Sequence, residues 1–278
     1  MELDRLEENL LVGIGNPLLD ISATVEEELL KKYDLQPDGA IMAEEKHMPL
    51  YRELMDKYKT EFIAGGSVQN SLRVAQWILK KPNITTYFGC VGNDDYAKIL
   101  KERAIADGVR VQYQTTDAAP TGTCAVLVNG HASLAVRQPG GRGSSSHPRH
   151  LATPPCQATI RAAKFFYASG FFVAVSPESI MQLATHAHAG GHTFIMNLSA
   201  AFVSQFYKEP LTQLLPYVDI LFGNEAEAEA FGTAFNLGTS DLKEIALKLA
   251  EMPKLSQRRR IVVITQGCDP VILVEGGT

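Results

Sequence analysis

Two short segments concentrate the groups best suited to hold a polar, uncharged ligand. GNPLLDIS (Gly15 to Ser22) and AGGSVQNS (Ala64 to Ser71) each join tight-turn residues to neutral or acidic hydrogen-bonding side chains. These are Asn16 and Asp20 in the first and Ser67 and Asn70 in the second. Such groups suit a neutral polyhydroxy compound better than a phosphate or a nucleic acid. Asp20 is the sharpest candidate, because one carboxylate can accept from two adjacent hydroxyls, as in a ribose 2′,3′-diol. An aspartate that simply caps a turn is the blander alternative. The pair Gly65-Gly66 lets backbone approach a ligand closely, or marks a loop-to-helix turn. With Ser67 and Asn70 on the same helix start, ligand contact is favoured.

The elements that must position these groups alternate between strand and helix. Leu10 to Ile14, Thr85 to Val91, Lys164 to Ala168, Thr193 to Leu198, Val218 to Phe222, Ile261 to Thr265 and Val271 to Val274 read as strands. Val68 to Lys80 carries apolar residues at helical spacing, with Ser67 as its expected N-cap. Asp95 to Asp107 is a helix stopped by Gly108, Ser176-Pro177 starts another, and Ser240 is the expected cap of a helix reaching Glu251. This rhythm predicts an α/β fold, a mostly parallel sheet covered by helices on both faces. Three strand-like stretches lack helices of their own: Asp20 to Val25, Gly39 to Ala43 and Thr121 to Val128. They are expected to form a small β lid, drawn from about 17–26, 38–44 and 117–130. Residues 131–155, rich in Gly, Pro, Ser and Arg, show no periodicity and are expected to be a disordered surface loop.

Ligands of open parallel sheets bind beyond the carboxyl ends of the strands. Polar groups recur at those ends: Asn197 and Ser199, then Asn224, Glu225 and Glu227, then Thr265 and Gly267. On the residues alone, Asn224 and Glu227 read first as an exposed acidic helix turn, and secondly as a magnesium or phosphate site. Phe171, Phe172 and Phe202 could stack on a purine, although at least one of the adjacent pair belongs in the core. His186, His188 and His192 are read as surface histidines, and Arg258 to Arg260 as a solvated approach to a strand.

Composition narrows the function classes. The 278 residues are 45% hydrophobic and carry a net charge of -5, which disfavours a nucleic-acid or membrane-surface partner. No apolar run is long enough to span a bilayer. The four cysteines are dispersed, without a CxxC pair, so reduced thiols in a cytoplasmic protein are expected rather than zinc ligands or disulfides.

Taken in order and approximate spacing, GNPLLDIS, AGGSVQNS with VAQW, FGCVGND, PTGTCA, SGFF with SPES, NLSAAF with SQFYKE, PYVDILFGNEAEA and TQG resemble the adenosine kinases of the ribokinase-like superfamily. The resemblance covers nearly the whole chain outside 131–155. It implies a Rossmann-like core sheet with a lid, in a cytoplasmic and also nuclear monomer. The implied reaction is transfer of the ATP γ-phosphate to the adenosine 5′-hydroxyl, with Mg2+. Carried over residue by residue, it places Asn16, Asp20, Gly66, Ser67 and Asn70 around the ribose. Ile41, Met42, Cys124, Phe171 and Phe202 would line the purine slot. Asn197, Asn224, Thr265 and Gly267 would lie toward ATP, with Glu227 near magnesium through water.

Two departures qualify what the resemblance implies. The family's Asp-Thr-x-Gly-Ala-Gly-Asp segment, with its anion hole and general base, falls beyond Thr278, so the copy reads as C-terminally incomplete. Coupled ADP release from residues 1–278 is expected to be very low. Where the family has Asn-Leu-Ala-Ala-Ala, this chain has Arg137-Gln138-Pro139-Gly140-Gly141-Arg142. Codons such as CGC CAA CCT GGC GGC CGC, read one base later, would give Ala-Asn-Leu-Ala-Ala, so a shifted reading frame over about 132–150 is a hypothesis that resequencing the transcript decides. Two alternatives remain: a kinase for another nucleoside or sugar, separable by a ligand panel, and a non-catalytic adenosine-binding truncated isoform.

Overall fold

A computed structural model of the chain describes residues 6–36, 39–130, 132–138, 140 and 147–276. The first half holds β1 (Leu11–Ile14), β2 (Leu18–Thr24), α1 (Glu27–Lys32), β3 (Gly39–Met42), α2 (Met48–Lys57), β4 (Glu61–Gly65), α3 (Ser67–Leu79), β5 (Thr85–Gly92), α4 (Asp95–Ala106), β6 (Arg110–Thr116), β7 (Thr123–Asn129) and β8 (Ala132–Gln138). The second half holds α5 (His147–Leu151), α6 (Pro154–Ala162), β9 (Phe165–Ser169), α7 (Gly170–Val173), α8 (Pro177–Ala189), β10 (Thr193–Asn197), α9 (Ala201–Phe206), α10 (Lys208–Leu214), β11 (Ile220–Asn224), α11 (Glu225–Ala234), α12 (Leu242–Glu251), β12 (Ile261–Gln266) and β13 (Asp269–Glu275).

Strand β5 (TTYFGCVG) is buried along its whole length, as a strand covered on both faces must be. It lies inside an eight-stranded sheet ordered β13-β12-β11-β10-β9-β1-β5-β6. Neighbours run parallel except β12 and β13, which pair antiparallel. From β1 the chain adds β5 and β6 on one side, then returns to add β9 to β12 on the other. The order therefore reverses between β1 and β9, and that switch point opens a crevice at the carboxyl ends of those two strands.

One face of β9 to β12 packs Phe166, Phe194, Met196, Leu221, Val262 and Ile264 against helices that follow residue 147, forming the main core. On the opposite face, Val68 and Leu72 of α3 cover Tyr87. A second sheet, ordered β3-β8-β7-β2-β4, buries Leu19, Ile21, Ala125 and Val136 against Leu29, Leu50, Leu54 and Leu100 of α1, α2 and α4. Burial along β2 alternates, so its other face remains half open.

Several elements differ from expectation. The second sheet contains the three expected segments and two more strands, β4 and β8. Residues 132–138, expected to lack order, form β8, because seven registered pairs with β7 supply the backbone partners that composition does not reveal. Residues 147–155 enter α5 and α6, while residues 131, 139 and 141–146 lie outside the described set. Ser67 is the first helical residue rather than the cap. Gly66 holds the cap position at φ +99°, a region open to glycine, and a Cβ there would lie 2.5 Å from the Asn16 carbonyl oxygen. Asp241, not Ser240, caps α12, its Oδ1 accepting from the Glu244 amide at 3.0 Å.

The largest correction concerns Arg260, expected in solvent and found 1% exposed. Its guanidinium donates to the carbonyls of Val218, Leu249, Met252, Leu215 and Pro253. Burial presses its pKa down to about 10, against the attraction of Asp219, and leaves it charged at neutral pH. Arg258 and Arg259 are exposed, as expected.

Candidate ligand site at the carboxyl ends of the strands

The glycine pair, Asn16 and Asp20 meet where β4 turns into α3. A Cβ on Gly65 would collide with the Asp20 carboxyl group, and one on Gly66 with the backbone of Asn16. These positions admit only glycine because the Gly15 to Ser22 segment lies against both. Asn70, one turn into α3, accepts from Arg73 Nη1 at 3.2 Å, while Arg73 Nη1 also donates to the Ala64 carbonyl at 2.8 Å. Ser67 sits on the same first turn and its carbonyl accepts from Ser71 Oγ at 3.1 Å. All five sequence-predicted residues of this group are therefore brought together.

Asp20 also belongs to a row that crosses the open face of the second sheet. Register pairs it with Cys124, Cys124 with Arg137, and Arg137 with Met42. Burial raises the Asp20 carboxyl to about 6, and the charges of Arg137 and Arg73 resist that rise. Cys124 is 3% exposed, its thiol pushed up to about 12 chiefly by burial, and Arg137 is within hydrogen-bonding reach of it. Arg137 is a residue that sequence reasoning missed, since it lies in the tract read as disordered. Ile41 is a correction: it pairs with buried Val136, so it faces away from the Asp20 row, whereas Met42 shares it.

The second group lies on the main sheet. Ser169 pairs with Asn197 and Asn197 with Phe222, while Asn224 pairs with Thr265, so the ends of β11 and β12 stand two residues beyond those of β9 and β10. Asn197 Oδ1 accepts from the Ser199 amide at 2.5 Å in a turn where Ser199 has φ +69°. Asn224 and Glu227 form a capping box: Asn224 Oδ1 accepts from the Glu227 amide at 2.9 Å, and Glu227 Oε2 from the Asn224 amide at 3.0 Å. Glu227 is 7% exposed, not the solvated first turn expected from sequence. Burial raises its pKa, while backbone hydrogen bonds from Asn224 and Ser199 act against that. Thr265 is exposed at the end of β12, where its hydroxyl reaches the Gly223 carbonyl at 3.4 Å, and Gly267 makes the following turn at φ +55°. Tyr167 lies between the groups: burial raises its pKa, Ser71 of α3 acts against that, and the charge of Glu227 adds to it.

Phe171 and Phe202 face each other at the switch point, ring centroids 6.1 Å apart and tilted by 41°. Phe202 is 40% exposed, whereas Phe172 is wholly buried in the core. A groove of about 940 Å³ lies elsewhere, between α6, α8 and α10, and none of the strand-end residues lines it. Among the described residues there is no cluster of three or more metal-ligating side chains, and no helix is long and apolar enough to cross a membrane. The histidines stay apart from any ligand site: His186 and His192 pack on Phe166. All four cysteines are free.

A family model for the pfkB carbohydrate kinases matches residues 30–278. The chain belongs to the pfkB carbohydrate kinase family. Adenosine kinase 2 of Arabidopsis thaliana is 45% identical over 272 residues, which are 97% of this pfkB kinase and 78% of the relative. A crystal structure of Anopheles gambiae adenosine kinase, in complex with P1,P4-di(adenosine-5) tetraphosphate, is 56% identical with a TM-score of 0.85. It covers 98% of this chain and 82% of that one. An adenosine kinase from Schistosoma mansoni, in complex with adenosine, is 34% identical with a TM-score of 0.86, covering 97% and 79%. The mostly parallel sheet flanked by helices is the fold these structures share.

Proposed function

We propose that this pfkB kinase transfers the ATP γ-phosphoryl group to the 5′-hydroxyl of adenosine, giving AMP. The observation that supports this reading is the meeting of Asn16 and Asp20 with Gly65-Gly66 at the start of α3, just past the end of β1, while Phe171 and Phe202 pair just past β9 and β10, β9 being the strand beside β1. Asp20 accepts from the ribose diol. Asn16, Gly66, Ser67 and Asn70 complete the ribose contacts, and the two phenylalanines with Met42 and Cys124 bound the purine. A charged carboxylate held half in the protein makes short, strong hydrogen bonds to neutral hydroxyls. The start of α11, with Asn197, Asn224, Thr265 and Gly267, receives the polyphosphate, because helix N-terminal amides and the helix dipole favour anions.

The reaction forms one bond, from the ribose O5′ to the γ-phosphorus. It breaks one, from that phosphorus to the ADP oxygen, and releases the hydroxyl proton. Positioning and charge stabilisation carry most of such catalysis. Magnesium fits the donor set only through its water shell, since Glu227 is one carboxylate already occupied by backbone donors. When bound there the ion would neutralise charge on the phosphoryl oxygens. The second sheet serves as a lid that excludes water from the transferring group. From the family resemblance we further infer a cytoplasmic, also nuclear, monomer; size-exclusion chromatography tests the last point.

The test is label transfer from γ-labelled Mg-ATP. Labelled AMP forming with adenosine, even at the very low rate expected of residues 1–278, in preference to label on ribose or fructose, supports the reading, and label on a sugar instead of adenosine overturns it. Gly65→Ala should weaken adenosine binding by about tenfold or more, since its Cβ displaces the Asp20 carboxyl group. Calorimetry checks this.

The raised pKa of Asp20 gives a pH dependence with two opposite signs. Diol binding needs the ionised carboxylate, so adenosine affinity should fall as pH drops through about 6. Folding stability runs the other way. A carboxyl whose folded pKa lies above its ordinary 3.8 contributes stability that is full below 3.8 and lost as pH rises through about 6. Calorimetric titrations between pH 5 and 8, about the usual working range, should show the affinity loss; an affinity flat across that range would contradict it.

A further inference from the structure

Asp94 does more than begin α4. One of its oxygens, Oδ1, accepts from the Ala97 amide at 2.9 Å, an ordinary helix cap. The rest of its hydrogen bonding goes to a residue 27 positions away. Oδ1 also accepts from the Thr121 hydroxyl at 2.7 Å, and Oδ2 accepts from the Thr121 amide at 2.8 Å. Thr121 Oγ1 in turn accepts from the Gly92 amide at 3.0 Å, at the end of β5. Thr121 is 1% exposed, and a Cβ on Gly92 would lie 2.6 Å from both the Thr121 amide nitrogen and Asp94 Oδ2. A helix cap needs none of this. Burial would raise the Asp94 pKa, but hydrogen bonds from Thr121, Ala97 and Tyr96 outweigh it and hold the carboxylate below its ordinary value.

Thr121 stands at the passage from the main sheet into the second one. The next residue, Gly122, gives its carbonyl to the Leu19 amide at 2.9 Å, and a Cβ there would press on Leu18 at 2.7 Å and on Gly140 at 2.9 Å. Strand β7 then begins, with Thr123 in register with Leu19 and Cys124 with Asp20. On its other side β7 sets Cys124 against Arg137. A continuous chain of contacts thus runs from the end of β5, through Asp94 and Thr121, to the backbone on either side of Asp20.

We propose that the Asp94–Thr121 pair is a positioning device for the nucleoside site, fixing where β7 starts against the main sheet and thereby where Asp20 and Arg137 stand. This rests on the adenosine reading given above, and goes beyond it in assigning a role to residues that touch no ligand.

The experiment uses D94N, T121V, T121S and the D94N/T121V pair in the same chain. Asparagine keeps an oxygen for the Ala97 amide and is itself a good cap, but cannot accept at both oxygens. Adenosine affinity is expected to fall by about tenfold in D94N and in T121V, and no further in the double variant, as for residues acting through one contact. T121S, which keeps the hydroxyl, should bind as the parent does. Hydrogen exchange supplies a readout independent of ligand: amides of 18–20 and 121–124 should exchange about tenfold faster in D94N, with those of 98–106 unchanged. D94N with parental affinity and parental exchange overturns the proposal. So does faster exchange confined to 95–106, which would leave Asp94 a cap only. Should the parent chain bind no adenosine, the functional reading fails, and the exchange pattern alone still decides this proposal.

Discussion

Asp20→Ala should weaken adenosine binding by ~100-fold or more, since two hydrogen bonds to a charged acceptor are worth about 1.5–3 kcal/mol each. The loss includes a second term. Without the carboxylate, Arg137 keeps its charge beside the site, whereas Arg73 retains its ion pair with Asp107. Asp20→Asn separates charge from shape, because the amide fills the same volume but accepts at one oxygen only. It should lose nearly as much affinity as alanine. Stability should respond in the opposite direction: the raised pKa means that ionised Asp20 is held at a cost, so Asp20→Asn should melt at or above the parent temperature at pH 7.5. A site that trades stability for function behaves this way. Calorimetry and a thermal melt on the same sample check both halves, and an unchanged dissociation constant would remove Asp20 from the site.

Arg260→Met should produce the largest stability loss of any single change considered. Methionine matches much of the side-chain volume but leaves five carbonyl acceptors without their donor. Orphaning buried polar groups costs about 1–3 kcal/mol each before relaxation, so a net loss of roughly 3–5 kcal/mol is expected. That corresponds to a fall in Tm on the order of 10 °C for a chain of this size. Those carbonyls belong to the end of α12 and to the segments leading into β11, so the loss should be cooperative with unfolding of the β11–β12 edge. Lys254 should matter less. It pairs with Asp219, which keeps donors from the Phe194 amide and Ser256. Denaturant unfolding monitored by circular dichroism measures both; a stability loss below that of Lys254→Met would contradict the role given to Arg260.

What could be seen in the sequence was whatever is encoded locally. Strands such as Ile261 to Thr265 and helix starts at Asn224 or Ser176 announce themselves by period and end residues. The rule that ligands meet the carboxyl ends of parallel strands then points to Asn197, Asn224 and Thr265 without any tertiary knowledge. Contacts made far along the chain were not visible. β8 depends on registered pairing with β7 and β3, and its Gly- and Arg-rich surroundings masked it, so Arg137 was lost from the site with it. Ile41 and Met42 are neighbours in sequence, but a strand turns them to opposite faces, and only pairing with Val136 and Arg137 shows which one shares a face with Asp20. Arg260 was misread because three consecutive arginines look like a solvated run; the five carbonyls that take up its guanidinium come from separate segments. The displaced caps at Gly66 and Asp241 are the one-residue errors expected when several capping residues adjoin.

In the proposed complex a ribose diol sits on Asp20, between the row of Cys124 and Arg137 and the start of α3. Calorimetric titration of the 278-residue protein with adenosine and with 2′,3′-dideoxyadenosine at pH 7.5 tests it most directly. Adenosine should bind, and the dideoxy compound, which keeps the purine but lacks both hydroxyls, should bind ~100-fold more weakly or not at all. Equal affinity for the two would show that the diol makes no use of the carboxylate and that Asp20 does not hold the ribose.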